Sequence, residues 1–320
     1  MPAPPPDATE TTSILPGAGG AEAPSGVLVE QAPLSGAGGT VLTPAAADRS
    51  RRTLGFTFWL SVSWIGLIVV LAVIAGLLPI PDPKAIEFQP GLNPSLHHLF
   101  GTDDLGRDLF SRVIYGARVS LTVGFFSILF GLVIGGILGL LAGFYRGVTD
   151  GIVVGLSNVI LAFPAFVLLI AVVSFWGPSL LHITLTIGIL SIGPLAVVVR
   201  GNTIRFAQRE FVMAARMLGA KNSRIIFREI LANVVPSGLA LGLVSVPVAI
   251  VAEGGLSFLG LSVRLPTPTW GNMIAEGRVI LTQHPGVAFW PALFLFLTVL
   301  ALNLVGDRLT AYFDVREGAL

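Results

Sequence analysis

From Gly151 to Val199 the chain runs for 49 residues without a single Asp, Glu, Lys or Arg. A bilayer core is about 30 Å thick and takes about 20 apolar helical residues to cross, so a run of this length predicts two crossings. Trp176-Gly177-Pro178 is the natural break between them. Pro164, in L-A-F-P-A-F, falls inside the first of the two and is expected to kink it or break its hydrogen-bond ladder. Asn158 is a lone amide in the same crossing, suited to an interhelical hydrogen bond or to lining a path.

Four further uncharged stretches have spanning length. They are Phe56 to Leu78, Val119 to Tyr145, Ile230 to Ala252 and Val287 to Gly306. The predicted fold is therefore an all-α integral membrane protein with six transmembrane helices. Composition agrees: 53% of the 320 residues are hydrophobic and 12% charged, against about a quarter charged in soluble domains. In the second span Gly124, Gly131, Gly135, Gly136, Gly139 and Gly143 place small residues at spacings that let helices pack backbone to backbone. Pro236 and Pro247 are expected to bend the fifth.

Several function classes drop out. There is no cysteine, hence no disulfide, thiolate metal site or Cys nucleophile. No G-x-x-x-x-G-K-[ST] loop is present, nor paired carboxylates, a Ser-His-Asp set or His metal spacing. The spans carry no charge near mid-membrane, which argues against carriers driven by protons or sodium.

Lys and Arg set the orientation. With the N-terminus inside, inside segments hold 13 of them and outside segments 6, the sign that the positive-inside rule requires. The chain then divides into a Pro-, Ala- and Gly-rich cytoplasmic tail at 1–52, expected to be disordered, and a first span with an external amphipathic segment at 53–116. A five-helix core at 117–308 and a short cytoplasmic tail at 309–320 complete it.

Three polar stretches stand out. Gly101 to Gly116 reads G-T-D-D-L-G-R-D-L-F-S-R-V-I-Y-G. From Asp108 its apolar residues recur at helical spacing with Arg107, Ser111 and Arg112 opposite, which predicts an amphipathic helix at the membrane surface that leads into the next span. Asp103, Asp104 and Asp108 lack EF-hand spacing and have Arg107 and Arg112 at hand, so pairing or capping is expected of them rather than Ca²⁺ binding. Glu253 to Pro285 is a second external segment, partly folded back and packed against protein. The third, Arg209 to Pro236, predicts two short helices broken at Gly219, the second capped by Asn222 or Ser223. Phe211, Ala214, Ala215 and Leu218 stripe the first; Ile225, Ile226, Ile230 and Leu231 the second. From Arg200 to Leu231 there are seven Lys or Arg against two Glu. Charge alone would suit a topology-setting loop or an island that binds anionic membrane lipid.

The pattern A-A-x-x-x-G followed by R-I-I-F-R and I-L resembles the cytoplasmic coupling loop of ATP-binding-cassette (ABC) importer permeases. Ala214, Ala215 and Gly219 match that motif, and Arg224 opens R-I-I-F-R. Met213 stands where the motif has Glu and Ala232 where it has Pro; Glu210, one turn before Ala214, is the candidate acid. The external stretch with Gly101, Thr102, Asp103, Gly106, Arg107 and Asp108 resembles the C-type (dipeptide/oligopeptide permease) subunit of the peptide/nickel family. So does P-T-P-T-W-G-N-M-I-A-E-G-R, with Trp270, Gly271, Asn272 and Glu276.

The resemblance covers roughly Phe56 to Arg308. It implies a type I importer permease fold with cytoplasmic coupling helices in the loop 200–231, placed in the bacterial cytoplasmic membrane. It also implies a homologous B-type permease partner, two ATPase subunits that use ATP and Mg, and an external substrate-binding protein. This chain itself would be no enzyme, hold no cofactor and bind no nucleic acid. The implied cargo is di- or oligopeptide, with nickel chelates as a branch; the alternative outside transport is a membrane scaffold that binds anionic lipid.

Overall fold

The computed structural model describes residues 55–318, with side chains as far as Tyr312, so the tail expected at 1–52 lies outside the described residues. Every regular element among them is helical. In chain order they are α1 (Phe56–Ile74), α2 (Leu109–Tyr145), α3 (Gly147–Ala162), α4 (Ala165–Trp176), α5 (Leu180–Phe206) and α6 (Glu210–Met217). Then come α7 (Asn222–Phe258), α8 (Trp270–Val279) and α9 (Gly286–Gly318).

Five of these helices, α1, α2, α5, α7 and α9, are long and apolar enough to cross a membrane, and α3 with α4 form a pair bent by 80°. The cause is local. Proline has no N–H, and it forces the preceding residue out of the helical region; Phe163 is accordingly extended and Pro164 caps α4. Connectivity makes the bent pair one crossing. Asp150 in the first turn of α3 pairs with Arg200 near the end of α5, whereas α4 reaches the start of α5 through a three-residue link. The pair thus joins opposite ends of the bundle, giving the six spans expected.

Length and boundaries differ from expectation. α2 has 37 residues, about 55 Å at 1.5 Å per residue, and passes unbroken through position 116. Its first turns lead into the span as expected, but they are packed under protein rather than lying on a surface. Ser111 and Arg112, the expected water-facing side, are as buried as Leu109 and Val113. α7 likewise includes the stretch expected to be a separate short helix, through one π-helical turn at Ile225–Ile230. Lys221 occupies its cap position, and neither Asn222 nor Ser223 caps it. The last span and the segment after it are one helix of 33 residues.

Glycines of α2 set its closest contact. Added to Gly131, a Cβ would lie 2.7 Å from Ser191 Cβ, to Gly135 2.6 Å from the Ile192 carbonyl oxygen, and to Gly143 2.6 Å from Thr203 Cβ, all on α5. Backbone approach of this kind is what small-residue spacing permits. Gly136 faces away and a Cβ there meets nothing within 4 Å. Midway along the bundle Ile128, Leu169, Ile187, Ile250 and Leu302 close an apolar core shared by α2, α4, α5, α7 and α9.

Candidate functional site

At the end where α2 begins, the two polar stretches singled out in the sequence meet. Gly101 and Gly106 have φ of +80°, which suits glycine; a side chain on either would also run into a backbone carbonyl, that of Leu92 or of Phe88. Thr102 Oγ1 donates to the Gln89 carbonyl at 2.7 Å and accepts from Leu92 N at 2.8 Å. Asp108 caps α2: one carboxylate oxygen accepts from Ser111 N at 2.8 Å and the other lies 3.0 Å from His98 Nδ1.

Asp103 is fully buried and accepts four hydrogen bonds. Two come from backbone N–H groups, of Leu105 and Arg107, both at 2.9 Å. Arg107 Nε donates at 2.6 Å and Arg112 Nη1 supplies the fourth. Both arginines reach on to Glu276 Oε2 on α8, Arg107 at 3.0 Å and Arg112 at 2.7 Å. Two carboxylates, Asp103 buried and Glu276 part-buried, thus balance two buried guanidiniums, the condition under which buried charge is tolerated. Asp103 pairs with arginine, and among the described residues no group of acidic or His side chains has a metal-holding arrangement.

α8 is seated by the other residues of its stretch. Trp270 is fully buried and donates from Nε1 to the Val113 carbonyl at 3.0 Å. Thr269 and Asn272 form a reciprocal capping box. Gly271 lets α8 touch α7, where a Cβ would lie 2.7 Å from Ser257 Cβ. Beneath α8 is Glu253, which sequence reading placed at the head of an external loop. It lies inside α7, fully buried, accepting from Ser120 at 3.0 Å and Ser262 at 2.8 Å. A charged residue reads in sequence as the edge of a span, and nothing local reveals the serines that satisfy it.

At the end where α2 terminates lies α6. Val212 anchors it, fully buried among Phe144, Phe206, Ile225 and Ile230. Met213, Met217 and Leu218 are exposed, the last two by nearly nine-tenths. Of the expected apolar stripe, Ala215 is half-buried and Phe211, Ala214 and Leu218 are exposed. Glu210, in the first turn, and Arg224, in the first turn of α7, are exposed too. Gly219 ends α6 at φ +77°; its N–H bonds to the Arg216 carbonyl and that of Ala220 to the Ala215 carbonyl, both at 3.0 Å. That is a Schellman stop.

Sequence reading missed the pair that ties this end together. Asp150 in α3 takes two hydrogen bonds from Arg200, one at Nη2 of 2.6 Å and a second at Nε. Their separation of 50 positions hides the pair.

The family model described as "Binding-protein-dependent transport system inner membrane component" matches residues 135–317. The chain is 42% identical over 250 residues to the glutathione transport system permease protein GsiD of Escherichia coli O6:K15:H31 (strain 536 / UPEC), covering 78% of this chain and 82% of that protein. The same figures hold for GsiD of Shigella boydii serotype 4 (strain Sb227). Among solved structures, an inward-facing MetNI methionine ABC transporter aligns with TM-score 0.48 at 18% identity, over 63% of this chain and 96% of that one. An amino acid ABC transporter with histidines aligns with TM-score 0.48 at 15% identity, over 66% and 95%. On the family model and the identity to GsiD, this chain belongs to the binding-protein-dependent transport system inner membrane components, as an ABC importer permease subunit of the peptide/nickel family.

Proposed function

We propose that this permease subunit carries di- or oligopeptides, glutathione-like thiol peptides among them, in an importer driven by separate ATPase subunits. The observation that carries the coupling half is the pose of α6. Val212 fixes it to the bundle while Met213, Met217 and Leu218 stand exposed at the end of the bundle. Large exposed apolar side chains clustered on one short element mark a protein contact. Met213 takes the place of the acid in the coupling motif, and methionine adapts to a partner's groove.

In this proposal α6 and both termini lie on the cytoplasmic side, α6 seats on an ATPase subunit that uses ATP and Mg, and a homologous permease completes the path. The basic residues around it, Arg205 to Arg228, agree with that orientation. Two of the arginines counted as external, Arg107 and Arg112, are buried and neutralised, which sharpens the asymmetry. The joined Asp103–Glu276 structure then faces outward, where a substrate-binding protein would dock. ATPase closure shifts the permease between inward- and outward-open states only through contacts that differ between them, and α6 supplies such contacts. The peptide half is supported by the glutathione named in the GsiD relatives.

The test is uptake into cells expressing the whole transporter, with labelled glutathione, a dipeptide and a nickel chelate offered separately. Energy-dependent uptake of the peptides supports the proposal; uptake of the chelate alone overturns its substrate half.

A further inference from the structure

We infer that the break between α3 and α4, with Asn158 beside it, lines a water-filled path and presents an uncharged, hydrogen-bonding surface to the solute. The inference rests on the transport reading above and adds the part of this chain that meets the solute. Neither arm crosses a bilayer by itself: α3 has 16 residues and α4 has 12, about 24 and 18 Å of helix. The turn between them falls at mid-bundle. Ala165, the first residue of α4, lines a cavity of about 240 Å³ with Leu169, Ser191, Pro194 and Ser245, from the middle of α4, α5 and α7.

At this depth the backbone lacks its usual partners. Phe163 N bonds back only to the Ile160 carbonyl, Pro164 has no N–H, and Val167 N turns to the Pro164 carbonyl. The carbonyls of Leu161, Ala162 and Phe163 and the amides of Ala165 and Phe166 find no backbone partner among the described residues. All residues from Leu161 to Val167 are exposed. Lipid cannot satisfy such groups, so irregular backbone at membrane depth persists only where protein buries it or water reaches it.

Asn158 selects water. It lies on the same face of α3 as Ala162, one turn away, and is turned away from the side of Val153 and Ser157, which are buried against the bundle. Its carboxamide is exposed and has no hydrogen-bond partner among the described residues. Ile152 and Leu156, exposed on a different side, are apolar and suit lipid. The lining holds no charge, since none occurs from Gly151 to Val199. A carboxamide with free carbonyls and amides matches a neutral donor-and-acceptor solute such as a peptide bond, and has nothing with which to hold a bare metal cation.

The absence of native cysteine makes the test direct. Asn158→Cys, Ala162→Cys, Ile152→Cys and Leu156→Cys are made singly in this chain, in the assembled transporter. Membrane vesicles are treated with a charged, membrane-impermeant methanethiosulfonate, with and without ATP, and labelling of this chain is read by mass. The expected result is modification at 158 and 162 at least tenfold faster than at 152 and 156 in one nucleotide state, slowed by an added dipeptide or by S-methylglutathione, neither of which has a free thiol to consume the reagent. Rates at 158 and 162 no faster than at 156 overturn the inference. So does modification seen only in the separated chain in detergent, which would mean that a partner subunit covers the face. Uptake in vesicles that hold the unsubstituted chain separates the two failures: peptide uptake there with unreactive 158 removes the lining alone, and reactive 158 with no peptide uptake there removes the substrate proposal alone.

Discussion

Asp103→Ala probes the outer network where it is most concentrated. The substitution removes four hydrogen bonds and leaves Arg107 and Arg112 facing each other with Glu276 as their one remaining anion. Arg112 is fully buried and Arg107 nearly so, so neither can recover solvation without opening the segment. Breaking a buried pair by deleting one partner costs about 3–5 kcal/mol. A chain of this size loses about 2 °C of melting temperature per kcal/mol, so thermal unfolding in mild detergent should fall by roughly 6–10 °C. Asp103→Ala with Arg107→Ala leaves Arg112 and Glu276 as a neutral pair; the double variant should melt above the single one although it has lost more bonds. A single-variant shift under about 2 °C, or a double variant that melts lower still, would refute charge balance as what holds this segment.

Gly135→Ala places a Cβ 2.6 Å from the Ile192 carbonyl, and the overpacking should cost about 1–3 kcal/mol, whereas its neighbour Gly136→Ala meets no atom and should be neutral or stabilising; melting of the two separates them. Gly219→Pro forbids the φ of +77° and removes the N–H bonded to Arg216, so it should leave the chain in the membrane but separate ATP hydrolysis from uptake; normal coupled uptake would sink the role given to α6. Asp150→Arg should lower uptake and Arg200→Asp in the same chain should restore it, with melting changed by about 1 kcal/mol or less because both side chains are part-exposed. A double variant no better than the single would mean that the pair is not a tie between α3 and α5.

What was legible in the sequence follows from which forces are local. Spans are written as absence of charge, and a proline marks where a helix can kink or break, so six crossings and the fault at Pro164 could be read; Pro194, Pro236, Pro247 and Pro291 nevertheless lie inside helices that run on. The stop at Gly219 was legible for the same reason. Partners were not. Arg107 and Arg112 counted as external cations because Glu276 lies 169 and 164 positions away. Ser111 and Arg112 mimicked a water-facing stripe because periodicity reports which residues share a face, and a second layer of protein can cover that face. Ile225, Ile226 and Ile230 were correctly seen as apolar at helical spacing. No glycine or proline separates them from the next span, so the two run on as one helix. Of the candidate site, the two outer stretches were found separately; only the fold joins them. Glu253 and the Asp150–Arg200 pair required it altogether.

The most direct measurement is purification of the chain by a C-terminal tag in mild detergent, with ATPase activity assayed on what comes with it. A permease subunit should bring a second permease and ATPase subunits, with hydrolysis that rises on adding glutathione or a dipeptide and its binding protein. A chain recovered alone and without ATPase, under conditions that keep other membrane complexes whole, would contradict the coupling role of α6 and leave its basic surroundings to anionic lipid.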